Sequence, residues 1–104
     1  MKIEQFKKPV YEMELHIYSV ALCGKDLSGE PVVTSCKCED VCELKKRAKA
    51  EILKALDPYN LSVGDCFIEI TITKNGEYFD RDEEWASVNQ FNRTVEFFTR
   101  GVYF

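Results

Sequence analysis

From residue 11 to residue 17 apolar and polar side chains take turns: Tyr11, Met13, Leu15 and Ile17 interleave with Glu12, Glu14 and His16, and Tyr18 follows. Period two marks a strand with one buried face, and residues 10–23 are read as the first strand. The phase slips after Ile17, since Val20 and Leu22 fall on the other parity. A bulge near Ser19, or cover on both faces, would accommodate that slip. Gly24 to Pro31 reads as a long hairpin loop, with two glycines able to take positive φ. Val32 to Cys38 then returns as a second strand, with Val32, Thr34, Cys36 and Cys38 on one face and Val33, Ser35 and Lys37 on the other.

The period changes over residues 39–56. Val41, Leu44, Ala48, Ile52, Ala55 and Leu56 recur at spacings of three and four, the apolar stripe of a helix. Glu39 and Asp40 stand at the end where the helix dipole favours acids, and Glu43 and Arg47 are spaced for an i,i+4 ion pair. Asp57-Pro58 stops the helix, because proline offers no N–H and pushes its predecessor out of the helical region.

Alternation resumes at Cys66-Phe67-Ile68-Glu69-Ile70-Thr71-Ile72-Thr73, with Cys66, Ile68, Ile70 and Ile72 on one face. Asn75-Gly76 is the preferred pair for a two-residue type I′ turn. That turn pairs Lys74 with Glu77, Thr73 with Tyr78 and Ile72 with Phe79, so the last two meet in the core. Over residues 80–92 the pattern blurs. Asp80 and Glu83 have capping-box spacing and Trp85 and Val88 are three apart, which predicts a short helix over about 82–90, with a bare loop as the alternative. Thr94 to Thr99 alternates again, Val95 and Phe97 opposite Glu96 and Phe98, and the aromatic terminus Gly101-Val102-Tyr103-Phe104 is expected to dock. The order β-β-α-β-β-(α)-β describes a single α+β domain over residues 1–104: an antiparallel sheet of about five strands, one main helix on one face and the other face partly solvated.

Composition narrows the function classes. The 104 residues carry 14 Lys+Arg against 18 Asp+Glu, a formal charge of −4, which disfavours a protein that coats nucleic acid by neutralising phosphates. No apolar run approaches the ~20 residues that cross a bilayer, so no membrane role is expected. Lys2, Lys7 and Lys8 are not followed by an apolar stretch, so no secretory signal is read and a cytoplasmic location is the expectation. Five cysteines, an odd number, cannot all pair within one chain and suit thiols or a metal better than a disulfide framework.

Cys36, Cys38, Cys42 and Cys66 could together approach a four-thiolate zinc site, with His16 as a substitute ligand. No C-x₂-C pair occurs, however, and core-facing cysteines are ordinarily small buried hydrophobes. Reactive-thiol chemistry is opposed by Glu39, Asp40 and Glu43, which surround Cys38 and Cys42 and favour the neutral thiol. His16 falls on the face opposite the core-facing cysteines, so no Cys–His dyad is suggested and no enzyme is expected. Phosphate-binding glycine motifs are absent from the sequence and no cofactor is expected. Lys46, Arg47 and Lys54 spread over the outer helix face and could track a nucleic-acid backbone, though Glu43 and Glu51 interleave them and a solvated face is the simpler account.

The segment from Glu77 to Trp85 packs five acids and one Arg among three aromatics. Glu77, Tyr78, Asp80, Asp82, Glu83, Glu84 and Trp85, joined by Glu14 and Tyr18 from the solvated sheet face (with Glu12, His16, Glu69 and Thr71), form the candidate partner-binding surface. An acidic rim around Trp and Tyr anchors suits a larger protein with a basic groove. The expected function is therefore non-catalytic docking, as an inhibitor or regulator. In size and charge the chain is similar to small anti-defence proteins of phages and mobile elements, anti-CRISPR proteins among them, although no motif points to one family. Free strand edges and the aromatic C-terminus also suit a homodimer.

Overall fold

Asn75 and Gly76 take φ of 53° and 85°, the two positive values that a type I′ turn requires, and the glycine meets the second without a Cβ penalty. The turn is tied to the start of the sheet: Asn75 N–H donates to the Val10 carbonyl at 2.8 Å, and Val10 N–H donates to Asn75 Oδ1 at 3.0 Å. Around it the computed structural model describes residues 9–24, 26–60 and 63–98. The expectations for the N-terminal segment and for the aromatic C-terminus lie outside those residues.

The elements are β1 (Tyr11–Ser19), α1 (Val20–Cys23), β2 (Val32–Cys38), α2 (Val41–Leu56), β3 (Val63–Lys74), β4 (Glu77–Asn89) and β5 (Thr94–Phe98). The five strands form one sheet in the order β2-β1-β3-β4-β5, with every neighbouring pair antiparallel. β2 and β3 both flank β1, so α2 carries the chain across one face of the sheet between them. The domain is α+β, with that helix packed on β2, β1 and β5.

The core is where the alternating strands meet the helical stripe. Met13, Leu15 and Ile17 of β1 and Cys66, Ile68 and Ile72 of β3 are buried against Leu44, Ala48, Ile52, Leu53 and Leu56 of α2. Asp40 caps the helix, its Oδ1 accepting from Cys42 N–H at 2.9 Å, and Glu43 meets Arg47 at 3.8 Å as the spacing predicts. Asp57-Pro58 ends α2 by tightening into a 3₁₀ turn, Asp57–Tyr59, which Asn60 closes in the left-handed region at φ 53°. Arg93, in the β4–β5 connection, grips the Asp57 carboxylate with two nitrogens at 2.6 and 3.3 Å, locking that turn to the helix end.

Four expectations are corrected. The first strand stops at Ser19, whose buried Oγ accepts from Ala21 N–H at 3.3 Å and starts the single turn α1. The phase slip at Val20 is therefore a change of element, with neither a bulge nor double cover. Second, Ile72 pairs with Asp80 and Thr73 with Tyr78, leaving Phe79 as a surplus residue in a β-bulge. Its ring turns edge-on to Tyr11, centroids 5.2 Å apart, instead of facing Ile72. Third, the segment expected as a helix or bare loop is strand as far as Asn89: residues 77–89 run as one strand, and the turn begins at Gln90. The bulge explains the missed alternation, because it resets parity and sends Ala86 and Val88 into the core while Trp85 goes to the far face.

The fourth concerns only the alternative reading of the cysteines as a zinc site. Cys38 pairs with Tyr11 and Cys66 with Ser19, at opposite ends of β1. Eight residues of strand separate them by roughly 26 Å, so Cys36, Cys38, Cys42 and Cys66 cannot share one metal ion.

Candidate docking face

One face of the sheet carries α2. On the other, strand register decides which side chains become neighbours. Tyr18 of β1 pairs with Phe67 of β3, Phe67 with Trp85 of β4, and Trp85 with Phe98 of β5. Four aromatic rings thus stand in a single row across four strands. Successive centroids lie 6.4, 5.3 and 6.4 Å apart, with tilted planes, the spacing of rings in mutual contact. All four residues are half-buried.

Charged side chains run on both sides of this row. One row over, Glu69 of β3 faces Glu83 of β4, and two carboxylates so placed repel unless a cation joins them. Arg81 supplies it: Nη2 bonds Glu69 Oε2 and lies 3.4 Å from Glu83 Oε1. Glu69 also accepts from the Tyr18 hydroxyl, and that bond to the neutral phenol, with partial burial and the nearby negative charge, raises the Tyr18 pKa. His16 Nε2 shares a hydrogen bond with Glu14 Oε1 at 2.6 Å on the same face. On the row's other side, Asp65, Ser87 and Glu96 line up across β3, β4 and β5, both acids exposed.

The residues expected to form one acidic-aromatic patch are divided by the alternation of β4. Glu83 and Trp85 join Glu14 and Tyr18 on the open face, as does Tyr78 near the hairpin end, 69% exposed and opposite Thr73. Glu77 sits beside the turn opposite Lys74. Asp80, Asp82 and Glu84 stand on the helix side, opposite Ile72, Ile70 and Ile68, where they edge an open cavity of about 150 Å³ floored by Met13 and Ile70. Lys45 of α2 reaches Asp80 there at 3.9 Å. Partial burial, with repulsion from Asp82, raises the Glu84 pKa. A strand cannot present consecutive acids to one partner, so the single patch is corrected to two separate surfaces.

The remaining candidates are placed as follows. Cys36 and Cys38 lie at the rim of the helix-side core and Cys66 within it; burial raises the Cys36 thiol pKa and pushes that of Cys66 up to about 11. Arg47 of the basic helix face is engaged by Glu43 and also donates to the Lys37 carbonyl at 3.5 Å, while Lys46 and Lys54 remain exposed on α2. Phe67, Phe98, Glu69 and Arg81 complete the aromatic face, and neither phenylalanine is among the anchors expected from the sequence. Their parity was visible in the sequence, since Phe67 alternates with Cys66 and Ile68. Their alignment with Trp85 required the strand order.

No protein family, curated protein or solved structure matches this chain in comparisons of sequence and fold. Among the described residues no helix is long and apolar enough to cross a membrane.

Proposed function

We propose that this chain is a non-catalytic interaction domain that docks, through the open face of its sheet, on a larger protein with a basic surface. The observation that carries the proposal is the row Tyr18–Phe67–Trp85–Phe98, a rigid aromatic strip spanning four strands with acids on either side. Aromatic anchors inside a polar rim are the anatomy of an interface hot spot, and building them on paired strands fixes their geometry before the partner arrives. Acidic complementarity to a basic groove speeds encounter and selects the partner. Inhibition of an enzyme that grips nucleic acid in such a groove is the form of docking this charge favours, as anti-defence proteins of phages and mobile elements use it. Five free cysteines suit a reducing compartment, which supports placing it in the cytoplasm.

The test compares wild type with Trp85→Ala combined with Glu83→Lys as immobilised baits. A partner identified on the wild-type chain, purified and measured by calorimetry, should bind the variant at least about tenfold more weakly at a temperature where circular dichroism shows the variant still folded, its melt lowered by the loss of the Trp85 ring contacts. Equal affinity for both chains would remove the open face as the docking surface.

A further inference from the structure

The rows on either side of the aromatic strip also indicate which side chains a partner brings; this inference rests on the docking role proposed above. Among the described residues six acids belong to the open face by register, Glu12, Glu14, Asp65, Glu69, Glu83 and Glu96, against Lys37 and Arg81 as fixed cations. Glu69 and Glu83 already hold Arg81, a guanidinium lying between two carboxylates beside the ring of Trp85's row. Across the strip, Asp65 and Glu96 repeat that carboxylate pair with Ser87 between them, and no cation among the described residues forms a salt bridge to either. Two strand spacings put their backbones roughly 10 Å apart, a gap that a guanidinium inserted from outside can bridge.

We propose that the open face takes an extended, arginine-bearing protein segment, with guanidinium planes on Phe67 and Trp85 and their N–H groups donating to Asp65 and Glu96. Arginine fits because it is planar, stacks on aromatic rings and offers a fork of donors to carboxylates, whereas a lysine ammonium is a strongly hydrated point charge. Single-stranded nucleic acid also stacks on aromatic strips, but its phosphates would meet the acids on either side of this one.

The sequence contains one tryptophan, Trp85, so its fluorescence reports occupancy of the strip directly. The full chain is titrated at fixed low salt with an arginine nonapeptide, a lysine nonapeptide of the same charge and a thymidine nonanucleotide. The arginine peptide should change the Trp85 emission and bind about tenfold more tightly than the lysine peptide. Asp65→Asn with Glu96→Gln should weaken the arginine peptide by about tenfold and leave the thermal melt unchanged, since both acids are exposed. Equal affinity for the two peptides, or an arginine affinity untouched in the double variant, would overturn the arginine assignment. The docking role would then still be judged by the Trp85→Ala, Glu83→Lys comparison. A nucleotide affinity matching that of the arginine peptide would overturn both.

Discussion

Deletion of Asp80 takes away the surplus residue that the β3–β4 hairpin carries. Phe79 then falls opposite Ile72, in the register the Asn75-Gly76 turn alone would set, and every residue from Arg81 onward keeps its present partner. Phe79 is 44% exposed, and for a side chain of about 200 Å² that leaves roughly 90 Å² still to bury. At about 25 cal/mol per Å² the gain approaches 2 kcal/mol. Against it stand the lost edge-on contact with Tyr11, about 1 kcal/mol, and the solvated Lys45–Asp80 pair, at most about 1 kcal/mol. The two sides nearly cancel, so urea unfolding followed by Trp85 emission should give a stability within about 1 kcal/mol of wild type and an unchanged native spectrum. Deleting Ser87 has no bulge to absorb it and turns the buried Val88 outward, at a cost of about 2 kcal/mol or more. If the Asp80 deletion cost over 3 kcal/mol, or shifted the native emission of Trp85, the bulge could not be the reason for the register.

Three further outcomes follow from burial, capping and charge. Ile68→Ala, at a fully buried site on the central strand β3, should lower stability by about 2–5 kcal/mol in urea unfolding, against about 1 kcal/mol for loss of the helix cap in Asp40→Ala. Cys66, buried and with its pKa pushed up to about 11, should resist iodoacetamide at pH 8 while the exposed Cys42 is alkylated, as peptide mass mapping of the native protein would show. Arg93 holds the Asp57 carboxyl below its ordinary range, so the unfolded chain binds the proton more readily. The stability from this contact is complete above the ordinary carboxylate range and lost as pH falls through the lowered value; Asp57→Asn should flatten that acid limb in urea midpoints taken from pH 6 down to pH 2.

Local rules were enough for most elements. The alternation of residues 11–17, 32–38, 66–73 and 94–98 placed four strands, and the stripe from Leu44 to Leu56 placed the helix and the face it buries. Asn75-Gly76 fixed the hairpin because only a type I′ geometry suits that pair between twisted strands. The divided surface was not legible in the same way. Asp80, Asp82 and Glu84 lie on the helix side but are too polar to mark a buried stripe, and a single surplus residue at Phe79 inverts the parity of all that follows in β4. Nothing in the local sequence outvoted the Trp85–Val88 spacing that suggests a helix; burial of Ala86 and Val88 beside Val95 did.

The sequence by itself determined the α+β class, the main helix, the turn and the acidic balance, since each depends on residues close in the chain. Only the tertiary structure decided what the open face is. Tyr18, Phe67, Trp85 and Phe98 are spread over 81 positions of sequence and become one strip because β3 pairs with β1 on one side and β4 on the other. Strand order and register are set by burial of the opposite face, so the aromatic strip is a by-product of the core beneath it, visible once the core is complete.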